Sequence, residues 1–182
     1  MRHIKIVNSI LLIISLFLIT SCSNNSTMKP EDFKNKEPRL IIEEYLTGNV
    51  KAWGVLQNRS GKVTRQFSAD LDGSWDGKQL ILKEKFNWND GEVQNREWTI
   101  TKIDENNYEG TAGDVVGKAI GYSYGPAFKF EYVLLVPVKG KEMKITFDDW
   151  IFKQDDRVAI NRATMTKFGF KVAELTVVFV KD

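Results

Sequence analysis

Charged side chains recur at alternate positions among apolar residues, and their pairing decides what chemistry the chain can do. When hairpin turns are used to pair the predicted strands, Glu84 falls opposite Arg96. By the same rule Asp149 falls opposite Arg162, which in turn faces Glu174 on the final strand. Facing residues of an antiparallel pair have Cβ atoms about 5 Å apart, close enough for ion pairs. We therefore expect inward ion pairs that neutralise one another, because an isolated buried charge is very unfavourable.

Arg65 differs from these arginines because it faces Trp88 instead of an acid. A cation-π contact of about 0.5 to 2 kcal/mol would hold its guanidinium without neutralising the charge. The alternative interpretation of the inward charges is therefore a ligand site, in which Arg65 binds an anionic head group. An aromatic wall of Trp88, Tyr132 and Trp53 would then hold the hydrocarbon tail.

The histidine and cysteine content excludes several classes of enzyme. His3 is the only histidine and Cys22 the only cysteine, and both precede the predicted folded domain. Histidine-dependent nucleophiles, zinc sites of the usual nitrogen and sulfur type, and dithiol redox sites need residues that this domain lacks. We expect no metal and no cofactor, and a non-enzymatic protein. An enzyme would need a carboxylate such as Asp149 or Glu174 as its acid or base.

Turn signals at short intervals predict an all-β domain after Gly48. Three-residue loops with glycine in the left-handed position are expected at 59–61 and 89–91, and two-residue loops at 76–77 and 139–140. Further connections are expected at 104–107, 113–117, 125–126, 154–157 and 167–169. About eight to ten strands in a meander, with only one short helix expected at 40–46, favour closure into an up-and-down antiparallel barrel. Such a barrel has room for side chains and one modest ligand.

The same register predicts one apolar face for the whole sheet. Its predicted members are Trp53, Val55, Val63, Phe67, Leu71, Leu80, Leu82, Phe86, Trp88, Trp98, Ile100, Phe128, Phe130, Tyr132, Leu134, Val136, Met143, Ile145, Phe147, Ile151, Val158, Ile160, Val172 and Val178.

The N-terminal segment has the layout of a cleavable export signal. Arg2, His3 and Lys5 precede an apolar run over 6–19 that is too short to span a bilayer. Residues 19–22, Ile-Thr-Ser-Cys, resemble the lipobox of bacterial lipoproteins, which implies cleavage before Cys22 and acylation, including a palmitate, at that residue. We expect a signal peptide over 1–21, a lipidated flexible tether over 22–38 and a single barrel domain over 39–182. Ser23 resembles the outer-membrane sorting class, which predicts an outer-membrane lipoprotein facing the periplasm of a Gram-negative envelope.

The charge balance argues against a nucleic-acid partner. The chain has 26 Lys and Arg against 24 Asp and Glu, and the leader contains two of the basic residues, Arg2 and Lys5. The mature domain is therefore close to neutral and has no basic block of the kind that binds nucleic acid.

Several short motifs resemble a known family. They are Trp53-Gly54, Gly110-Thr111-Ala112, Asp114-Val115-Val116-Gly117, Phe147-Asp148-Asp149-Trp150, Ile160-Asn161-Arg162-Ala163 and Lys167-Phe168-Gly169. With the lipobox, they resemble a Gram-negative lipoprotein family catalogued only as a domain of unknown function, a resemblance that implies no activity or site. The architecture is similar to calycins, meaning lipocalins and fatty-acid-binding barrels. The expected function is a membrane-anchored binder of a fatty acid, lipid or similar apolar anion. The alternatives are a scaffold lipoprotein with a filled interior and a carboxylate-dependent enzyme.

Overall fold

The computed structural model describes residues 28–138 and 140–182. A 3-10 helix at Pro30–Phe33 and a short helix α1 at Ile42–Leu46 precede ten strands. The strands are β1 Gly48–Asn58, β2 Val63–Trp75, β3 Gln79–Trp88, β4 Val93–Lys102, β5 Asn107–Thr111, β6 Ala119–Tyr124, β7 Ala127–Val138, β8 Lys141–Lys153, β9 Val158–Lys167 and β10 Phe170–Lys181. They form a closed antiparallel barrel in which neighbours in sequence pair and β1 also pairs with β10. The predicted meander, its closure and the short helix are confirmed.

Glycines set the sharp turns between strands, as the sequence predicts. Gly61 and Gly91 have φ of 81° and 88°, in the left-handed region that residues with side chains rarely adopt. Between the turns, burial alternates along the strands; on β2, Phe67, Ala69 and Leu71 are buried and the residues between them are exposed. Within 28–138 and 140–182, no helix is long and apolar enough to cross a bilayer.

Helix α1 covers one end of the barrel, which we call the closed end. Ile42 and Leu46 are buried against the interior, and the Tyr45 hydroxyl donates to the Arg157 carbonyl at 3.0 Å. The Lys181 ammonium donates to the backbone carbonyl of Tyr45 at 3.0 Å. The opposite end, which we call the open end, is surrounded by the loops at 59–62, 89–92 and 168–169 and contains the entrance to the interior.

Strands β5 and β6 are much shorter than β4 and β7 and do not reach the open end. The loop 112–118 that joins them fills this part of the barrel wall. It is fastened to β7 by a hydrogen bond from the Val116 amide to the Val133 carbonyl at 2.8 Å. A second hydrogen bond joins the Leu135 amide to the Asp114 carbonyl at 2.9 Å. This attachment carries the Asp114 side chain to the barrel interior.

The predicted inward face is correct on β3, β4, β7 and β8 but wrong on β1. At Leu56 and Gln57 the pairing of β1 with β2 skips Thr64 of β2, and this bulge shifts the register by one residue, so that Gly54, rather than Trp53, pairs with Phe67. A one-residue shift turns every side chain to the other face. Trp53 is consequently 50% exposed on the outer surface, beside the outward-facing Val55. The inward positions of β1 carry Val50, Ala52, Gly54 and Leu56.

The same error affects β9 and β10. Lys153 pairs with Ala159 rather than Val158, so β9 turns Asn161 and Ala163 inward and Arg162 outward. Val158 and Ile160 share the outer face with Arg162. On β10 the inward residues are Leu175, Val177 and Phe179, whereas Glu174 and Val178 face outward. Val172 packs against the core, and Val63 on β2 is 45% exposed.

Part of the segment predicted to be a tether contacts the barrel. The Phe33 ring lies 6.0 Å from Trp150 and 5.5 Å from Phe152 on the outside of β8. The Leu40 amide donates to the Gly125 carbonyl at 2.7 Å. Phe33 and Leu40 therefore attach parts of this segment to the barrel, whereas residues 34–37 between them are exposed. The predicted signal and Cys22 lie outside the described residues.

Candidate ligand-binding site

Two adjacent spaces lie inside the barrel. One, of about 200 Å³, opens at the open end, and the other, of about 100 Å³, extends toward α1. Both are lined by Phe67, Phe86, Arg96, Tyr132 and Leu175, which therefore mark the boundary between them. The interior is thus only partly filled by its own side chains.

Aromatic rings form most of the wall. The Tyr132 ring stacks on Phe147 with centroids 5.0 Å apart and meets the edge of Trp98 at 5.3 Å. On the opposite side, Phe67 lies 4.9 Å from Trp88. Trp88 and Tyr132 therefore belong to the cavity wall, as the sequence predicts. Trp53 does not, because the bulge in the β1–β2 pairing places it outside.

Arg65 lies at the entrance and forms ion pairs with two acids. Its guanidinium stacks 3.9 Å from the Trp88 ring, and its nitrogens contact Asp90 at 2.7 Å and Glu92 at 2.8 Å. The guanidinium holds the pKa of the Asp90 carboxyl below its usual range through their hydrogen bond. The expectation of an unpaired cation is therefore wrong. Strand pairing could not reveal these acids, because they lie in the β3–β4 turn rather than opposite Arg65.

Arg96 is the cation at the centre of the cavity. Its Nη1 lies 3.8 Å from a Glu84 carboxylate oxygen, which agrees with the cross-strand pairing expected from the sequence. Its Nη2 also donates to the Asp114 carboxylate at 2.8 Å, and its Nε lies 3.1 Å from the same oxygen. Sequence reasoning missed Asp114 because a loop, not a strand, brings it there.

Asp149 is held by neutral partners. The Tyr132 hydroxyl donates to one carboxylate oxygen at 2.9 Å, and the Asn161 amide donates to the other. The expected partner Arg162 is 67% exposed on the outer surface, where it lies 3.6 Å from Glu174. These two residues do contact each other, but outside the barrel. Glu174 therefore cannot act as an acid or base inside it.

Burial changes the protonation of the inward acids. It raises the pKa of Glu84 to about 7, an effect that Arg96 only partly offsets, and it raises the pKa of Asp149 to about 6, where the hydrogen bonds from Asn161 and Tyr132 give the main partial offset. Burial also raises the pKa of the Tyr132 hydroxyl well above its ordinary value, so this group is a donor at neutral pH. The three carboxyls of Glu84, Asp114 and Asp149 outnumber the single Arg96. An aromatic cavity of this kind accepts hydrogen bonds from donors and repels anions.

Metal binding finds no support in the part of the chain that the structure describes. There, no three histidine, cysteine, aspartate or glutamate side chains are grouped so that they could hold an ion.

Comparisons with known proteins identify a family and a fold. The model of the family described as "Protein of unknown function (DUF3833)" matches residues 16–181. No match was found among curated proteins. The S-type phycobiliprotein lyase CPES from Guillardia theta has a similar structure, with a TM-score of 0.58 and 10% identity over 77% of this chain and 90% of that one.

A second similar structure is a protein of unknown function from the DUF3598 family of Nostoc punctiforme. Its TM-score is 0.60, with 16% identity over 81% of this chain. The match covers 51% of that protein, so this chain spans about half its length. At these identities the likeness shows a shared calycin-like barrel fold.

Proposed function

The chain belongs to the DUF3833 family of proteins of unknown function, and we propose that its barrel binds a small apolar molecule bearing a hydrogen-bond donor group, such as an amine or hydroxyl. One observation is the main support for this proposal. An open-ended aromatic cavity contains more carboxyls than cations at its centre, around Arg96. Calycin-like barrels have the shape for such a role, although a fold hosts many functions.

The apolar part of the ligand would replace water along the aromatic wall. Burying apolar surface is worth about 25 cal/mol per Å², and the rings of Trp98, Phe130 and Tyr132 form a continuous surface with centroids 5.2 to 5.5 Å apart. The volumes of about 100 and 200 Å³ suit a short chain or one ring.

The polar part would meet Glu84 or Asp149. Among the described residues, no hydrogen bond reaches Glu84 Oε2, although this atom is buried. A buried acceptor without a donor costs about 1 to 3 kcal/mol, which a ligand amine or hydroxyl would recover.

A fatty acid, the ligand expected from the sequence, is less compatible with these charges. Arg65 already contacts two acids, and Arg96 is shared between Glu84 and Asp114. A carboxylate would therefore have to displace an existing partner of either arginine. An amine would instead be attracted to the surplus carboxyls.

A matched series of octylamine, octanol and octanoate tests the proposal. Trp88 and Trp98 line the cavity, so their fluorescence should report binding. We expect saturable quenching with affinity in the order amine, alcohol, carboxylate. Asp149→Asn should weaken the amine about tenfold or more and leave the alcohol nearly unchanged, since a charge-assisted bond is worth about 1.5 to 3 kcal/mol.

Trp53→Phe is the matched control, because Trp53 is an exposed tryptophan on the outer face of β1. Quenching that disappears in this variant would locate binding outside the barrel. Tighter binding of octanoate than of octylamine would favour the fatty-acid expectation instead. No saturable quenching by any of the three would support the scaffold alternative. Chemical conversion of any of the three compounds during incubation with the protein would support the alternative of a carboxylate-dependent enzyme.

We also propose that the protein is a lipoprotein of the cell envelope, anchored through Cys22 and, in a Gram-negative cell, facing the periplasm from the outer membrane. The support is the residue sequence Ile-Thr-Ser-Cys at 19–22, the short apolar run before it and Ser23 after it.

A further inference from the structure

The turn between β9 and β10 exposes two large aromatic side chains at the open end. Phe168 is 88% exposed and Phe170 is 77% exposed. Val93, 55% exposed at the start of β4, and Val63, 45% exposed at the start of β2, lie at the same end. Apolar groups gathered at one end of a barrel mark a surface that contacts something less polar than water.

The backbone conformation of Phe168 is also unusual for a bulky residue. Its φ is 51°, in the left-handed region, which is unusual for a bulky residue and worth explaining at a turn where Gly169 also has φ of 79°. This conformation presents the ring at the apex of the turn. A two-residue hairpin turn needs positive φ at both central positions, where glycine or asparagine is usual, so the turn geometry accounts for the backbone but not for a bulky exposed phenylalanine.

Basic side chains surround these apolar tips. Lys167 lies 5.1 Å from the Phe168 ring, and Lys171 follows Phe170. Arg59 and Lys62 in the β1–β2 loop and Lys141 at the start of β8 are also exposed. The acids Asp90 and Glu92 at this end are already bound by Arg65, and Lys171 contacts Glu174 at 2.8 Å. The exposed Glu142 follows Lys141, so the excess of basic residues at this end is modest. The loops of the closed end are mixed in charge, with Asp76, Asp104, Asp155 and Asp156 beside Lys78 and Arg157.

The N-terminal chain leads toward the same end. From Phe33 beside Phe152, it reaches Met28, which lines a groove with Thr164 and Glu174 on the outside of β9 and β10. Thr164 is four residues before Phe168, a distance of about 13 Å along a strand. Cys22 is six residues before Met28 in the sequence, which allows a span of up to about 20 Å. A lipid on Cys22 and the β9–β10 turn can therefore reach one membrane surface.

We infer that the open end docks on an anionic lipid surface, with Phe168 and Phe170 inserted at the interface and Lys167, Lys171, Arg59 and Lys62 against the head groups. Aromatic rings favour the membrane interface, and each basic residue near an anionic surface adds attraction. The cavity entrance then faces the bilayer, so an apolar ligand enters without crossing water. This inference uses the proposed lipid anchor for its geometry, but its test is independent of that anchor.

A polarity-sensitive nitrobenzoxadiazole dye, attached in turn at Phe168→Cys and at Trp53→Cys, tests the docking. The full chain is reconstituted from detergent into vesicles of phosphatidylethanolamine and phosphatidylglycerol that contain a nitroxide-labelled lipid. We expect a blue-shifted emission and several-fold stronger quenching at position 168 than at position 53, where the dye replaces an exposed apolar residue on the barrel side. Lys167→Glu combined with Lys171→Glu should reduce the quenching at 168 several-fold.

Equal, water-like emission at both positions would overturn the inference. Blue-shifted emission at position 168 in native membranes but not in protein-free vesicles would also overturn it, because that result would identify a protein partner instead. Unchanged quenching in pure phosphatidylcholine would refute the role of the anionic head groups. The wild-type chain reacts with the dye only if the Cys22 thiol is free. Labelling of the wild type therefore detects failure of the proposed anchor separately from failure of the docking.

Discussion

The buried Glu84 carboxyl should make the protein less stable as the pH rises. Burial raises its pKa from the ordinary 4.5 to about 7. The unfolded chain therefore releases this proton at lower pH than the folded chain, and between these values the folded state binds more protons. Stability then falls with increasing pH, so the contribution is fully present below about pH 4.5 and lost as the pH passes 7. Asp149, whose pKa burial raises from 3.8 to about 6, acts with the same sign.

The magnitude for Glu84 follows from the shift. A change from 4.5 to about 7 corresponds to about 3 kcal/mol, of which about 2 kcal/mol falls between pH 5 and pH 8. Acids whose pKa is lowered, such as Asp76 and Asp104, stay ionised between pH 5 and pH 8. They therefore do not contribute to the change in stability over this range. Glu84→Gln removes the titrating group and keeps the side-chain shape. We therefore expect the variant to lose about 2 kcal/mol less stability than the wild type between the two pH values.

Urea denaturation at pH 5 and pH 8, followed by tryptophan fluorescence, measures the difference. Glu97→Gln is the matched control, since Glu97 is exposed on the adjoining strand β4. An equal denaturation midpoint of the wild type at both pH values would refute the reasoning. The same flattening in the Glu97 variant would attribute the effect to net charge rather than to the cavity.

Three further substitutions test the register and the anchor. Arg96→Ala should cost about 3 to 5 kcal/mol of unfolding free energy, because it leaves two inward carboxylates without their cation, whereas Arg162→Ala on the outer surface should cost about 0.5 kcal/mol or less. Equal losses in urea denaturation would contradict the observed orientation of β9. Cys22→Ser should yield a protein without lipid that washes from the membrane fraction, as checked by mass spectrometry and fractionation. Retention like that of the wild type would disprove anchoring at this residue.

Local patterns in the sequence were enough to predict much of the barrel. Glycine at the turns and period-two alternation are decided by backbone sterics and by burial of one face, both of which act over a few residues. The predicted inward faces of β3 and β4 are therefore correct, and Glu84 does pair with Arg96. The candidate residues Trp88 and Tyr132 line the cavity for the same reason.

Only the tertiary structure decided which way β1 and β9 face and which acids neutralise the arginines. A bulge beside Leu56 and a longer β8–β9 connection each shift the register by one residue, and no turn signal marks them. Trp53 and Arg162 consequently lie outside the barrel. Asp114 and Glu92 reach Arg96 and Arg65 from loops, whose paths depend on packing against distant strands. The sequence therefore determined the barrel and its aromatic lining, whereas the charge of the cavity, and with it the class of ligand, depended on loop and register geometry that local pattern does not encode.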